Sequence, residues 1–274
     1  MRVCLISYAT PEFYNNQNIL NNSASSFGIG KIYSYKKKDI KNTAFYRDNR
    51  FLLEQKRGAG YWVWKPYLIL RTMDLMNQGD IIIYADCSVE IICDLTPLTD
   101  LCLAQNGILL FRNHGLVNKD WTKRDCFILM GCDSEEYHNA EISMATFCMF
   151  EKNERSLTFL NEWLHYVTKP EIVSDSQNTC GLPDLPGFKA HRHDQSVLSI
   201  LSIKHKIKTF RDPSKQGNYM KMQAFRDPGE FIAVPYSETP FLNSPYPTLI
   251  TINRDRRNGI IKKLLFRIIN KISR

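Results

Sequence analysis

The stretch GAGYWVWKPYLILRTMDLMNQGDIIIYADCSVE, from Gly58 to Glu90, decides the fold predicted for this chain. Its order predicts a glycine turn, a helix over Pro66–Met76 opened by its proline, a short loop and a buried strand, Asp80–Ala85. A carboxylate, Asp86, follows the strand directly. Because open α/β sheets bind ligands at the carboxyl ends of their strands, the stretch predicts a ligand site at Asp86.

Strands and helices alternate along the rest of the chain. Further apolar runs predict strands at Val3–Tyr8, Lys31–Tyr35, Gly107–Phe111, Ser143–Phe150 and Ile207–Phe210. Helical periodicity predicts further helices at Phe45–Gln55, Thr96–Ala104, Ser156–Tyr166 and Asp194–Lys204. This alternation favours an α/β fold with a mostly parallel central sheet flanked by helices. Two stretches, Val173–Lys189 and Asp212–Pro247, are predicted as long loops of the kind that often contact substrate.

The composition is that of a folded chain, and its net positive charge is concentrated near the C-terminal end of the sequence. The 274 residues are 43% hydrophobic, which is enough to form a substantial core. The eight cysteines are scattered without a Cys-x-x-Cys pair, which predicts reduced thiols in a cytosolic protein. No run approaches the roughly 18 apolar residues of a membrane span. The N-terminus is interpreted as the first strand rather than a signal peptide.

Residues 254–274 are predicted to form a basic amphipathic helix. This tail has eight basic residues and one acid, so it carries +7 of the net charge of +8. Its aliphatic side chains occupy one half of a helical wheel and its basic side chains the other half. We interpret it as a helix that binds an anionic membrane surface, the alternative being a helix docked on the body. Because the other residues carry only +1, we expect no nucleic-acid partner.

Polar residues gather at the two ends of the quoted stretch. Lys65 lies at the predicted helix start, where it and Arg57 are candidates to bind a phosphate or diphosphate. The alternative is a solvated lysine beside core aromatic residues. At the other end, Asp86, Ser88 and Glu90 share one face if the strand stays extended. A carboxylate and a hydroxyl there can contact a ribose or a divalent cation, unless Asp86 only caps a helix.

A second polar cluster, His191-Arg-His193-Asp194-Gln195, opens the predicted helix Asp194–Lys204. Two histidines, an acid and an amide beside an apolar helix favour a functional site, the alternative being a simple helix cap. Lys123 and Arg124 are weaker candidates for an anionic substrate, and a solvated helix start is the preferred interpretation for them.

Three of these segments together resemble glycosyltransferases of the GT-A type. IIIYADCSVEI resembles the Asp-x-Asp segment of that fold, ISMATFCMFEKN its later acceptor-side strand, and HRHDQSVLSIL the Asp-Gln helix entrance of the glycogenin and lipopolysaccharide galactosyltransferase group. GAGYWVWKPYLIL resembles bacterial proteins found with capsule and lipopolysaccharide synthesis genes. The resemblance covers about residues 1–210. It implies that residues 1–253 are one GT-A-like (Rossmann-like) catalytic domain, with 254–274 as the tail.

The resemblance implies an activity and a set of site residues. The activity is transfer of a sugar from a nucleotide-diphosphate sugar to a glycan or lipid-linked acceptor, with retention of configuration preferred. Asp194 and Gln195 match the polar pair near the transferred sugar and are the expected catalytic residues. The expected nucleotide-sugar-binding residues are Ser7, Tyr8, Thr10, Lys65, Asp86, Ser88 and His193. Asp86 also matches a ligand of Mn²⁺ or Mg²⁺, but Ser88 stands where the second metal-binding acid is expected.

Three classes of function follow. The first is a cytoplasmic glycosyltransferase held peripherally on the inner face of the cytoplasmic membrane. The second is a metal-dependent hydrolase built on His191, His193, Asp194 and Asp86. The third is a non-catalytic protein that binds a membrane surface through its tail.

Overall fold

The computed structural model describes residues 1–222, 232–235 and 244–253. The strands are β1 (Val3–Ala9), β2 (Lys31–Lys36), β3 (Ile81–Ala85), β4 (Val89–Ile91), β5 (Ile108–Val117), β6 (Glu141–Ser143), β7 (Phe147–Glu151), β8 (Thr209–Arg211), β9 (Tyr219–Met222), β10 (Ile232–Pro235) and β11 (Ile250–Ile252). The helices and single turns are α1 (Tyr14–Ser26), α2 (Lys37–Lys41), α3 (Ala44–Asp48), α4 (Arg50–Leu53), α5 (Gly58–Tyr61), α6 (Trp64–Met73), α7 (Thr96–Ala104), α8 (Asn118–Trp121), α9 (Arg124–Leu129), α10 (Glu135–His138), α11 (Glu154–Val167), α12 (Pro170–Val173) and α13 (Asp194–Lys204).

A mixed sheet of seven strands forms the centre of the described fold. Its order is β2-β1-β3-β7-β5-β6, and β8 pairs with β5. Strands β1, β2, β3, β5 and β8 run in one direction, whereas β6 and β7 run in the other. The sheet is therefore mostly parallel, as the alternation of elements predicts. Two separate pairs, β9–β10 and β4–β11, lie outside it.

Two hydrophobic layers cover the two faces of this sheet. Alternate residues of each strand point to opposite faces, so Ile82 and Tyr84 join one layer and Ile81 and Ile83 the other. Helices α6, α11 and α13 supply the first layer, and α1 and α7 the second. The predicted α/β class, a mostly parallel sheet flanked by helices, is confirmed.

Several element boundaries differ from those predicted. Strand β5 runs on to Val117, beyond the predicted end at Phe111, because its far end pairs with β6. The single strand predicted over Ser143–Phe150 is wrong. Residues 144–146 interrupt it, and there Met144 N–H donates to Phe111 O and Thr146 O accepts from Asp86 N–H. The helix predicted over Phe45–Gln55 is two short helices, α3 and α4.

Strand β3 turns sharply after its last residue. Val89 N–H donates to Asp86 O at 2.9 Å, which closes a turn before β4 begins. The prediction that Asp86, Ser88 and Glu90 share one face of an extended strand is therefore wrong. In place of such a face, β4 pairs antiparallel with β11, and Asn253 N–H donates to Ser88 O.

The glycine turn before α6 has an uncommon backbone. Every residue from Gly58 to Trp62 has a positive φ, between 50° and 105°. The hydrogen bonds Tyr61 N–H to Arg57 O and Trp62 N–H to Gly58 O close this left-handed turn. A Cβ added to Gly60 would lie 2.7 Å from Leu53 Cα, so glycine is required there for space as well as for φ. Strain of this kind gathers at functional sites.

The predicted tail helix, 254–274, lies outside the described residues, as does the domain boundary drawn before it. Among the described residues, no helix combines the length and apolarity needed to cross a bilayer.

Candidate active site

Lys65 is the centre of a buried ionic cluster at the carboxyl end of β3. Its side chain is 2% exposed, and its ammonium lies 2.7 Å from Asp194 Oδ2 and 3.9 Å from Asp86 Oδ1. It also donates a hydrogen bond to Ala145 O at 2.9 Å. The break between β6 and β7 supplies that carbonyl. Lys65, Asp86 and Asp194 lie on three separate segments of the sequence and meet in one place in the structure.

Lys65 is not the solvated lysine of a helix start. Burial alone lowers the pKa of an ammonium group, but Asp194 and Asp86 outweigh this effect and raise the pKa of Lys65. The ammonium is therefore charged and held by two acids and a carbonyl. Its charge is engaged by these three groups, and the direct binding of a diphosphate that the sequence predicts for Lys65 stays a prediction.

Asp86 keeps one oxygen available for a ligand. Tyr84 OH donates to Asp86 Oδ1 at 2.5 Å, and the Lys65 ammonium lies over the Tyr84 ring at 4.9 Å. No hydrogen bond reaches Asp86 Oδ2 from the described residues, and the side chain is 29% exposed. Asp86 is therefore the accessible acid of the cluster. Tyr84 was missed by the sequence argument, although its position two residues before Asp86 on one strand places both side chains on the same face.

Asp194 is the buried acid of the cluster. Its side chain is 4% exposed, and burial raises its pKa to about 6, against the lowering effect of Lys65. At neutral pH it is ionised and paired with Lys65. Trp163 Nε1–H donates to its main-chain oxygen, and next to it Gln195 Nε2–H donates to Ser143 O. Asp194 and Gln195 are thus fixed at the head of α13.

His193 is buried, and both of its ring nitrogens are engaged. Nδ1–H donates to Val173 O at 2.8 Å, so Nε2 is the acceptor for Arg57 Nε–H at 2.7 Å. Burial lowers the pKa of His193 to about 4, which keeps this ring neutral. Its backbone is left-handed, with φ 54°. The rings of Tyr61 and Trp62 pack against it. These contacts hold the His193 ring in place directly before Asp194, and its predicted contact with the nucleotide sugar stays a prediction.

The histidines do not form the set that a metal hydrolase requires. His193 has no ring nitrogen left for a metal, and Asp194 is paired with Lys65. His191 Nδ1 accepts from Lys123 N–H, and burial lowers its pKa well below the usual value. These contacts assign the histidines to the packing around α13.

Three predicted nucleotide-binding residues, Ser7, Tyr8 and Thr10, lie at the end of β1 or just after it, and each has different contacts. Ser7 is buried, and its Oγ accepts a hydrogen bond from Gln17 Nε2. Tyr8 stacks on Trp64 with ring centroids 4.1 Å apart, one residue from Lys65. Thr10 begins the turn that follows β1. Tyr8 thus packs on the residue that precedes Lys65, and nucleotide binding by these three residues stays a prediction.

The residues around Asp86 do not by themselves fit a protein-held Mn²⁺ or Mg²⁺. Ser88 lies in the turn after Asp86, and the nearest cation to Asp86 Oδ1 is the Lys65 ammonium. Within the described ranges, no group of three or more His, Cys, Asp or Glu side chains is arranged to hold a metal. A divalent cation prefers several oxygen ligands.

Lys123 and Arg124 anchor the loop that leads to His193. Lys123 is buried, and its ammonium donates to Ser176 O. Arg124 N–H donates to Asp184 Oδ1, and Asp125 accepts from the backbone of residues 179 and 180. The interpretation of this segment as a solvated helix start is therefore wrong, and the predicted long loop is tied to α9.

Solved structures of glycosyltransferases are similar to this chain. The apo structure of the bifunctional glycosyltransferase WbbM gives a TM-score of 0.48 at 13% identity, over 78% of this chain and 39% of its own length. The galactosyltransferase LgtC, in complex with donor and acceptor sugar analogues, gives 0.44 at 12% identity, over 92% and 87%. Mouse xyloside xylosyltransferase 1 gives 0.42 at 8% identity, over 78% and 86%.

This chain thus spans well under half of WbbM. No protein-family model matches the chain, and no curated protein matches it. All three likenesses have TM-scores under 0.5 and identities of 13% or less.

Proposed function

We propose that this chain is a glycosyltransferase that moves a sugar from a nucleotide-diphosphate sugar to a glycan or lipid-linked acceptor. One observation carries the proposal: Asp86, after β3, and Asp194, at the head of α13, converge on the Lys65 ammonium at the carboxyl edge of the parallel strands. This edge is where open α/β sheets bind nucleotides.

Each acid has a role set by its surroundings. Asp86 is 29% exposed and its Oδ2 receives no hydrogen bond from the described residues, which suits it to accept a hydrogen bond from a hydroxyl of the ribose. Asp194 is ionised but buried, so its role is electrostatic: its charge favours the positive charge that develops on the transferred sugar. Lys65 pairs with both acids and holds them in place. Gln195, beside Asp194, supplies an amide to the same sugar.

Binding of nucleotides tests the proposal directly. The protein is titrated with nucleotide sugars and nucleoside diphosphates, with and without Mn²⁺, while its melting temperature is followed. A ligand at 100 times its Kd raises the free energy of unfolding by about 2.7 kcal/mol. We expect at least one nucleotide to stabilise the protein and Asp86→Asn to abolish this shift. Asp100→Asn, an exposed acid on α7, is the matched control. No stabilisation by any nucleotide would refute the proposal.

The stereochemical course is a separate part of the proposal. We propose retention of configuration, supported by the resemblance of Asp194-Gln195 to the Asp-Gln pair of retaining transferases. NMR of the first product formed from a labelled donor reads the anomeric configuration. A product of inverted configuration would overturn this part and leave the transferase activity standing.

The cellular setting is also proposed. Resemblance of the Gly58–Leu70 segment to capsule and lipopolysaccharide proteins supports a bacterial enzyme of surface-polysaccharide synthesis. The basic tail 254–274 supports binding to the inner face of the cytoplasmic membrane. Flotation with anionic and neutral vesicles, for the full chain and for the chain ending at Asn253, tests the tail. Equal flotation with both kinds of vesicle would refute its electrostatic role.

A further inference from the structure

We propose that Arg57 binds a phosphate group of the substrate through its terminal guanidinium nitrogens. The inference rests on the proposed function, because it names the anion that this site receives. Arg57 lies directly before the left-handed turn and reaches His193, the neighbour of Asp194. Arg57 is therefore a half-exposed cation that is hydrogen-bonded to the residue preceding Asp194.

The guanidinium is held in place from two sides. The Arg57 carbonyl accepts from Gly60 N–H and Tyr61 N–H, at 3.1 and 2.8 Å, which fixes the backbone. Arg57 Nε–H donates to His193 Nε2 at 2.7 Å. The neutral imidazole serves as an acceptor and leaves the positive charge of Arg57 in place. A side chain fixed in this way loses less entropy when it binds a ligand.

The outer end of the same guanidinium is unoccupied by strong protein partners. The side chain is 54% exposed, and no hydrogen bond from the described residues reaches its two Nη atoms. Asp175, which is 45% exposed, forms an ion pair with Arg57 across 3.7 Å, and this contact is made by Nε rather than by the two Nη atoms. Two parallel N–H groups of a guanidinium match two oxygens of a phosphate. The Nη–H groups of Arg57, called the fork from here on, therefore fit an oxyanion of the phosphate class.

His193 connects the Arg57 guanidinium to Asp194, the next residue in the chain. Trp62 packs between His193 and Gly58, where a Cβ on the glycine would lie 2.3 Å from the Trp62 ring. The left-handed turn thus holds both Arg57 and His193, and Asp194 follows His193 in the chain. A phosphate on Arg57 would thus be held by a guanidinium that contacts His193, the residue preceding Asp194. The phosphate belongs either to the nucleotide donor or to a lipid-phosphate acceptor.

Binding and kinetics of Arg57 variants separate these two sources. Arg57→Met removes the charge, and Arg57→Lys keeps the charge but removes the fork. Arg50→Met is the matched control, since Arg50 is an exposed arginine paired with Glu54 on α4. Titrations use UDP, GDP, ADP and CDP, the matching nucleosides, and inorganic pyrophosphate. Melting temperatures show whether each variant is folded.

Loss of the charged hydrogen bonds of Arg57 is expected to weaken binding of the phosphate-bearing ligand about ten- to a hundredfold. If Arg57→Met weakens the nucleoside diphosphate by that factor and leaves the nucleoside unchanged, Arg57 binds the donor. If it instead raises the KM of a lipid-phosphate acceptor and not of a phosphate-free acceptor, Arg57 binds the acceptor. We expect Arg57→Lys to recover part of the loss. Unchanged binding and unchanged KM in a folded Arg57→Met variant would overturn the inference.

A failure of the proposed function would be seen separately. If the unmodified protein binds no nucleoside diphosphate, the transferase proposal fails, and pyrophosphate then decides the role of Arg57. Pyrophosphate binding that Arg57→Met abolishes and Arg50→Met preserves would support an oxyanion site at Arg57. Pyrophosphate binding that is absent, or equal in all variants, would reject it.

Discussion

Replacement of Lys65 by methionine measures what the buried ammonium contributes. Methionine has a similar length but no charge, so Lys65→Met leaves the Asp194 carboxylate buried without its ion-pair partner. Removal of one member of a buried pair costs about 3–5 kcal/mol of unfolding free energy. We expect a loss in this range at pH 8, because Asp194 is 4% exposed and cannot recover the lost interaction from water.

The cost depends on pH in a direction that the structure determines. With Lys65 present, the pKa of Asp194 is about 6, and without the ammonium it rises further. Above pH 6, Asp194 of the folded Lys65→Met variant is still protonated. In the unfolded chain and in the folded unmodified protein, Asp194 has already lost this proton. The cost of Lys65→Met therefore grows by about 1.4 kcal/mol per pH unit above pH 6, until the higher pKa is reached.

Urea unfolding followed by tryptophan fluorescence, at pH 5, 6, 7 and 8, provides the measurement. The double variant Lys65→Met/Asp194→Asn removes both charges, and we expect it to be more stable than Lys65→Met at pH 8. A cost that is the same at pH 5 and pH 8, or a double variant no more stable than the single one, would show that the pair is not a buried ion pair.

Three further predictions concern the acids and the turn. Asp86→Asn should lower kcat/KM for transfer by about a hundredfold while leaving the melting temperature nearly unchanged, since a contact with the donor ribose of about 2.7 kcal/mol is lost from a half-buried side chain. Activity should decline as the pH falls through about 6, because Asp194 must be ionised, and a pH–rate profile without this decline would contradict its role. Gly60→Ala should destabilise the fold by about 1–3 kcal/mol, through its positive φ and the close approach of Leu53. Gly79→Ala, with a φ of 82° and open space, is the control that carries the backbone strain alone, and equal losses of stability in the two variants would refute the close-approach argument.

Elements with local boundary signals were predicted well. Helices α7 and α13 have the predicted bounds, Thr96–Ala104 and Asp194–Lys204. The break between β6 and β7 was not predicted, because ISMATFCMF is apolar throughout and gives no period that marks an interruption. That break comes from contacts with other strands: Phe111 O and Asp86 N–H bond to residues 144 and 146.

The sequence predicted which residues form the candidate site better than it predicted the contacts between them. The sequence brought Lys65, Asp86 and Asp194 together because each follows or opens an element at the sheet edge. It gave no sign that Lys65 is buried, since lysine is rarely buried and its partner acid is distant in the chain. The bond from Arg57 to His193 was equally hidden, because it depends on a left-handed turn at residues 58–62. The transferase activity and the tail helix stay predictions.

The pairing of β11 with β4 has a consequence for synthesis of the protein on the ribosome. The turn that presents Asp86 is bordered by β4, and the partner of β4 is the segment Ile250–Ile252. A nascent chain that has emerged only through β8 can pair β1, β2, β3, β5 and β7, yet β4 still has a bare edge. Unpaired edges invite association between chains. The half-made protein is therefore most in need of a chaperone during the emergence of the last forty or so residues before Asn253.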